Sequence, residues 1–425
     1  MDRQRDEETP LLIAEPTHHD AAAIRNTADA AVRWLAAVWN VIKVTLLSSW
    51  LNVLLAFVPL GLVAGRQNWG PTSVFTLNFI AIIPLAAILS FATEEVAQSL
   101  GDTLGGLLNA TFGNAVELIV TIVALRANEL EIVQTSLLGS MLSNMLLVLG
   151  MCFLLGGIFN MMDEHGVGKE QTFSPGTAQT TCSIMILTSA AIIIPTTLSG
   201  VINHGGTTDD SNASILSLSR AMSVILLLLY GLYLVFALRT HKHLFEPQVA
   251  PEQDNLALPS NTDPTPHMHL TGLSSSVVLL LVTLLISFCA HYMVSSIDDV
   301  AQTYGISKKF IGLILIPIVG NAAEHSTACV VAVKDKMDLA MSVAIGSTIQ
   351  IGLLATPVLV LVAWPMGREL TLQFGSFETV AFTISAVAVY SVVQDGKSNY
   401  LEGAMLLGLY VFIALAFWAS PVENA

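Results

Sequence analysis

Two five-residue stretches of the chain carry residue types that could do chemistry: Gly113-Asn114-Ala115-Val116-Glu117 and Gly320-Asn321-Ala322-Ala323-Glu324. Each glutamate falls inside a long apolar run. A charge is costly in such a place, and its presence there points first to function. A structural carboxyl bonded to a neighbouring helix accounts for one such residue more readily than for two in matched settings. The pattern suits the binding of a hard divalent cation. Calcium takes several oxygen ligands in irregular geometry, and two carboxylates balance its charge. Asn114 and Asn321 precede their glutamates by three residues and so share a helix face with them. Gly113 and Gly320, four residues before, permit close packing and local unwinding that bares carbonyl oxygen. Pro317 removes a backbone hydrogen bond and frees the Leu313 carbonyl. Irregular backbone of this kind is tolerated in a membrane where it lines a cavity.

The next apolar run of each half adds oxygen: Ser140, Ser143 and Asn144 in the first, Ser347, Thr348 and Gln350 in the second. Ser140, Ser347 and Gln350 join the candidate ligands, against the ordinary use of small hydroxyl residues for helix packing in membranes. His325 follows Glu324 directly and faces another way round the helix. It reads as a proton or hydrogen-bond partner, with a satisfied structural histidine as the alternative. Proton coupling then falls to Glu117, Glu324 and His325. Glu94-Glu95 and Asp298-Asp299 precede the two glutamate-bearing runs, either as cation-attracting layers or as solvated helix ends.

Membrane helices must position these residues. Only 12% of the chain is charged, 53% is hydrophobic, and mean hydropathy is +0.69. A soluble domain carries roughly 25% charged residues. The apolar runs predict eleven spans, near 43–65, 73–92, 104–127, 133–158, 178–200, 218–239, 273–294, 309–333, 337–363, 376–394 and 400–420. The fold class is therefore all-α and polytopic. Residues 1–42 form a tail that ends in an interfacial amphipathic helix over 22–42. Its Glu7-Glu8-Thr9-Pro10-Leu11-Leu12 fits an acidic dileucine sorting signal or a plain acidic tail. The start of the chain lacks the basic and apolar regions of a signal peptide. Residues 240–272 read as a hydrophilic linker. Cys152, Cys182, Cys289 and Cys329 are scattered through apolar segments as small buried hydrophobes. The net charge of -15 argues against nucleic-acid binding, which needs a basic face.

The two motifs are offset by 207 residues, and Gly139-Ser140 and Gly346-Ser347 share that offset, as do Gly105 and Gly312. The expectation is one extra helix at 43–65 plus two five-helix repeats, 73–239 and 273–420. Five is odd, so the second repeat enters the membrane from the opposite side, with sites at the repeat interface near the midplane. With the N-terminus in the cytosol, Lys and Arg favour the cytosolic side by 11 to 6, which sets the orientation by the positive-inside rule. The sequon Asn212-Ala213-Ser214 then lies in the lumen, and Asn109-Ala110-Thr111 is expected to be buried in a span.

These residues resemble the cation/proton exchanger (CAX) family of the calcium/cation antiporter superfamily. The stretch Gly105-Gly106-Leu107-Leu108-Asn109-Ala110-Thr111-Phe112-Gly113-Asn114-Ala115-Val116-Glu117-Leu118 is similar to its first repeat motif, and Pro317-Ile318-Val319-Gly320-Asn321-Ala322-Ala323-Glu324-His325 to its second. The likeness is greatest to fungal vacuolar calcium/proton exchangers. It implies a multi-pass protein of the vacuolar membrane, calcium uptake into an acidic lumen, and the two motif glutamates as ion ligands. Calcium and protons, with manganese as a further cation, are then transported substrates, and no cofactor is implied. Fungal-type members carry an acidic helix in the central linker. Here 240–272 mixes four acids with four histidines and prolines, which departs from that pattern. The sequence leaves assembly into a homo-oligomer open. A sodium-coupled calcium exchanger and a cation channel are the competing readings. An intramembrane enzyme is not indicated, because neither a His-Glu-x-x-His nor a Gly-x-Ser-x-Gly motif occurs.

Overall fold

The computed structural model describes residue 33 and residues 35–162, 165–202, 208–242 and 270–420. The expected tail 1–21, its dileucine motif and most of the 240–272 linker lie outside them. The chain divides into two units, Met1–Leu47 and Ser48–Ala425. In the first, helix α1 (Leu35–Leu47) runs on through position 42, where the interfacial helix was expected to end. Leu35, Trp39 and Leu47 on it are exposed.

The second unit is helical apart from its connections and one two-stranded antiparallel ribbon, β1 (Gln171–Thr172) with β2 (Lys397–Ser398). Helix α2 (Trp50–Arg66) opens as a 3-10 turn, with the Ser49 hydroxyl accepting from the Leu51 N–H at 3.2 Å. The expected span 43–65 therefore starts later, after Ser48-Ser49. Helix α3 (Pro71–Leu100) begins with proline, which suits the first helical position. It is followed by α4 (Asp102–Phe112), α5 (Ala115–Arg126), α6 (Leu130–Phe159), α7 (Pro175–Ile202) and α8 (Thr208–Val235). The second half holds α9 (Gly272–Ser295), α10 (Ile297–Tyr304), α11 (Lys308–Gly320), α12 (Ala322–Val333), α13 (Met337–Ala363), α14 (Ser376–Val393) and α15 (Tyr400–Trp418).

Long apolar sequence becomes helix here because a backbone in lipid must satisfy its own polar groups. Eight of the described helices are long and apolar enough to cross a membrane, and up to ten spans result if each of two bent pairs counts as one. The α4–α5 pair, broken at Gly113-Asn114, stands outside that count. The expectation was eleven.

Local features recur 207 residues apart. Expected spans three and eight are each interrupted, at Gly113-Asn114 and at Asn321. Asn128 (φ 65°) and Asp335 (φ 59°) end α5 and α12 in the left-handed conformation, which short polar side chains tolerate better than most. Wide π turns occupy Ser143–Val148 of α6 and Ile351–Ala355 of α13; such turns are frequent at functional sites.

Packing pairs the corresponding helices. Helix α3 lies along α9, and α7 along α14. The end of α6 packs on α15, and the end of α13 on α8. Helices α6 and α13 form the centre, with Leu137, Met141, Met145, Ile345, Ile349 and Leu353 buried. Leu228, Leu232, Leu280, Phe288, Phe412 and Leu415 face outward, as lipid-facing side chains do. The two halves differ at α4 and α11. Helix α11 is embedded against α6, with Ile311, Leu313, Ile314 and Val319 buried. Its counterpart α4 rests mainly on α3, and Leu104, Leu107 and Phe112 are exposed. Asn109, expected to be buried, is exposed on the same helix.

Candidate cation site

Glu117 and Glu324 hold equivalent places. Asn114 and Asn321 are the N-cap residues of α5 and α12, and each glutamate is the third residue of its helix. A helix start presents unpaired N–H groups and positive dipole, which favours a carboxylate there by about 1 kcal/mol. The breaks at Gly113-Asn114 and Asn321 thus do chemical work: they put helix N-termini inside the bundle. In a continuous span no such ends would face the glutamates.

The Glu117 carboxylate lies against Gly320, one helical turn before Glu324. Glu117 is buried and Glu324 half-buried. A Cβ at position 320 would stand 2.9 Å from Glu117 Oε1, so the carboxylate of α5 lies directly against the backbone that ends α11. A cavity beside it is lined by Glu117, Thr121, Ser136, Ser140, Val319 and Gly320, among others.

An amide and hydroxyl chain closes the other side. Asn144 Nδ2 donates to Ser347 Oγ (2.9 Å), and Ser347 Oγ donates to Asn114 Oδ1 (2.6 Å). Asn114 Nδ2 in turn donates to Gln350 Oε1 (2.6 Å). Asn114 therefore spends both ends of its amide on α13. Asn321 instead turns its Nδ2 to the Pro317 carbonyl at 3.0 Å. His325 Nε2 is 3.3 Å from Ser143 Oγ, in the π turn of α6.

What remains is a set of oxygens. Glu117 Oε1, Glu324 Oε2, Asn144 Oδ1 and Asn321 Oδ1 are buried without a hydrogen-bond partner among the described residues. An unsatisfied buried acceptor costs about 1–3 kcal/mol, more when charged. All four accept and none can donate while the carboxyls are ionised, which is the complement a desolvated cation needs. Among the described residues no three of His, Cys, Asp and Glu cluster. A cation here would accordingly take amide, hydroxyl and carbonyl oxygen alongside the two carboxylates.

Of the residues expected from sequence, Glu117, Gly320 and Ser140 line the cavity, and Ser347, Asn114 and Gln350 join one network. Gly113 is exposed at the break, 3.3 Å from Gln350 Oε1 to where its Cβ would be. The Leu313 carbonyl, expected to be free for a ligand role, is packed against Gly139. Glu94 and Glu95 lie within the last turns of α3, beyond its expected end at 92. Glu95 is buried and accepts from the Leu270 N–H at 2.8 Å, tying the end of α3 to the start of α9. Thr121 and Ser136 were missed. Thr121 donates to the Glu117 carbonyl at 2.6 Å, and its one signal in sequence was its place four residues after the glutamate.

An ion-pair cluster was also missed. Lys308 pairs with Asp298 and Glu129, Lys309 with Glu131 and the buried Glu378. Arg368 donates to Asn128 Oδ1 at 2.8 Å. These contacts join α10, α11 and α14 to the start of α6. At the other end of these helices Lys169 pairs with Asp335 and Lys397 with Glu170, beside the β1–β2 ribbon.

The sodium/calcium exchanger protein family matches residues 70–239 and 274–419. A vacuolar calcium ion transporter of Schizosaccharomyces pombe is 44% identical over 422 residues, 99% of this chain and 94% of that protein. A Ca2+/H+ antiporter of Aphanothece halophytica is 41% identical over 372 residues, 87% of this chain and 96% of that protein. Among solved structures, native YfkE is similar with a TM-score of 0.70 at 33% identity, over 87% of this chain and all of that one. With nearly three-quarters of its length matched, the chain belongs to the sodium/calcium exchanger protein family.

Proposed function

We propose that the chain is a secondary active antiporter that exchanges calcium for protons across the vacuolar membrane, with Glu117 and Glu324 binding either the cation or protons. The observation that carries this reading is that the buried Glu117 Oε1, Glu324 Oε2, Asn144 Oδ1 and Asn321 Oδ1 have no hydrogen-bond partner among the described residues. The relatives' names support calcium and protons as the exchanged ions. Manganese, which shares the preference for oxygen ligands, is a candidate second cation.

The coupling follows from charge. Two bare carboxylates close together in a poorly solvated site repel strongly. Calcium satisfies both at once. When it leaves, protons take its place, because carrying two uncompensated charges through the conformational change is costly. An acidic lumen protonates the pair and displaces calcium, and the near-neutral cytosol lets the pair bind it again. The pair titrates as a unit. His325, next to Glu324 in sequence and 3.3 Å from Ser143 Oγ, passes or holds a proton. Asn114, Asn321, Gly113, Gly320, Ser140, Ser347 and Gln350 supply or position oxygen. The architecture behind this is two inverted five-helix repeats, 73–239 and 273–420, with the N-terminus cytosolic and alternating access around the fixed site.

The test is calcium uptake into sodium-free vesicles under an imposed pH gradient. Uptake should require the gradient and collapse with a protonophore. Glu117→Gln and Glu324→Gln should each abolish it while folding and targeting persist, since glutamine keeps the shape and loses the charge. Near wild-type transport in either variant removes that glutamate from the mechanism. Uptake that depends on sodium overturns the proton reading.

A further inference from the structure

The two halves of the chain use one helix face differently. On α6, Glu131, Thr135 and Gly139 are spaced four residues apart and lie along one stripe. Helix α11 sits on that stripe: Gly312 is against Thr135 Oγ1 and the Leu313 carbonyl is against Gly139. Small residues let two backbones approach in this way. The residues 207 positions later, Asp338, Ser342 and Gly346, form the same stripe on α13. Even the hydroxyl contacts repeat. Thr135 donates to the Glu131 carbonyl at 2.7 Å, and Ser342 to the Asp338 carbonyl at 2.9 Å.

The α13 stripe, however, has no helix seated on it. A Cβ built at Gly346 meets nothing within 4 Å. A groove runs there between α13, α7 and α8, lined by Asp338, Ser342, Gly346, Ala178, Thr181 and Tyr233, among others. The residues that correspond to Gly312 and Leu313 are Gly105 and Gly106 of α4. In this structure they rest elsewhere, Gly105 against the Ala97 carbonyl of α3, and Gly106 where an added Cβ would stand 3.2 Å from Leu238, beyond the end of α8. Leu104 and Leu107 beside them are exposed.

We propose that the groove at Gly346 is the seat of α4 in the opposite-facing conformation, where Gly105-Gly106 dock on α13 as Gly312-Leu313 now dock on α6. One seat is filled while the other is open. Docking of α4 covers the Gly113 end of the site, and departure of α11 from Gly139 uncovers the Gly320 end. The occupant is fixed by the chain itself: it has the matching glycines, the matching offset and an apolar surface that is uncovered in this conformation. The inference rests on the alternating-access reading above and adds the contact that makes it alternate.

Gly346→Leu tests this, because the open groove accepts the larger side chain in the present conformation but not α4 as well. The expected result is a folded protein that binds calcium with wild-type affinity by titration calorimetry, while exchange in vesicles falls about tenfold or more, with a smaller loss for Gly346→Ala. Exchange at the wild-type rate in Gly346→Leu overturns the proposal. A second measurement covers a variant that also loses calcium binding. Gly106→Cys with Gly346→Cys, in an active background with the four native cysteines replaced by alanine, should form a disulfide under mild oxidant when the lumen is acidic. That bond should stop exchange, and reduction should restore it. Absence of the cross-link under every gradient sinks the docking contact. A cross-link in a protein that never moves calcium would instead sink the functional reading and leave the contact standing.

Discussion

At the residue scale, Gly320 leaves little room beside the Glu117 carboxylate. A methyl group there would stand 2.9 Å from Glu117 Oε1, tighter than ordinary contact. Gly320→Ala should therefore shift the flexible end of the Glu117 side chain, with little change in thermal stability, and be read as roughly a tenfold loss of calcium affinity. Wild-type affinity in that variant would mean that Glu117 has room to spare. The glutamates and the helix breaks beside them stand out in the sequence because a charge or a backbone break in an apolar run is locally anomalous. The bonds of Asn114 do not: its amide pairs with Ser347 and Gln350, more than 230 residues away. No local pattern encodes a contact of that range.

Among the elements, the α4–α5 and α11–α12 breaks were visible as glycine and proline in otherwise helical sequence, and the ends of α5 and α12 fall at residues that accept a left-handed backbone. The ends of α3 were harder. Adjacent acids at 94 and 95 read as the outside of a span, but the helix continues to Leu100 because Glu95 finds a buried N–H partner in Leu270. Glu95→Ala leaves that N–H without its acceptor, and should destabilise the junction of α3 and α9 by about 1–3 kcal/mol. A lowered thermal midpoint with an unchanged affinity for calcium would be the signature. An unchanged midpoint would show that water replaces the carboxylate at no cost. The seat of α11 on α6 was also invisible. The shared 207-residue offset tells which residues correspond, but not that Gly139 is covered while Gly346 is open.

For the whole molecule, the ribbon end is held by contacts that respond to pH in a definite direction. Partial burial would raise the Asp335 carboxyl, but hydrogen bonds from Lys169 at 2.9 Å and Gln171 at 2.7 Å, with the lysine charge, outweigh it and hold the group below its ordinary value. A lowered folded value means the contribution is present above the ordinary carboxylate range and is lost as pH falls through the lowered value. The stability difference between the wild type and Asp335→Asn should thus be full at neutral pH and fade on acidification. A difference that grows in acid would contradict the assignment. This end contains the β1–β2 ribbon, and neither the ribbon nor its ion pairs had a signal in composition or periodicity.

The Lys308 and Lys309 pairs give the opposite end a different character. Their partners sit on α6, α10 and α14, so α11 cannot leave its seat without separating opposite charges, of which those at Asp298, Glu129 and Glu131 are partly open to solvent and that of Glu378 is buried. Mobile ions weaken such attractions over a screening distance of about 10 Å at 0.1 M salt. The time the protein dwells in the present state should then depend on the electrolyte bathing that face. Raising potassium chloride there should shorten the dwell and speed turnover, while the same addition on the other face leaves it unchanged. A transporter built this way would have its clock set by the ionic strength of the solution on that one face.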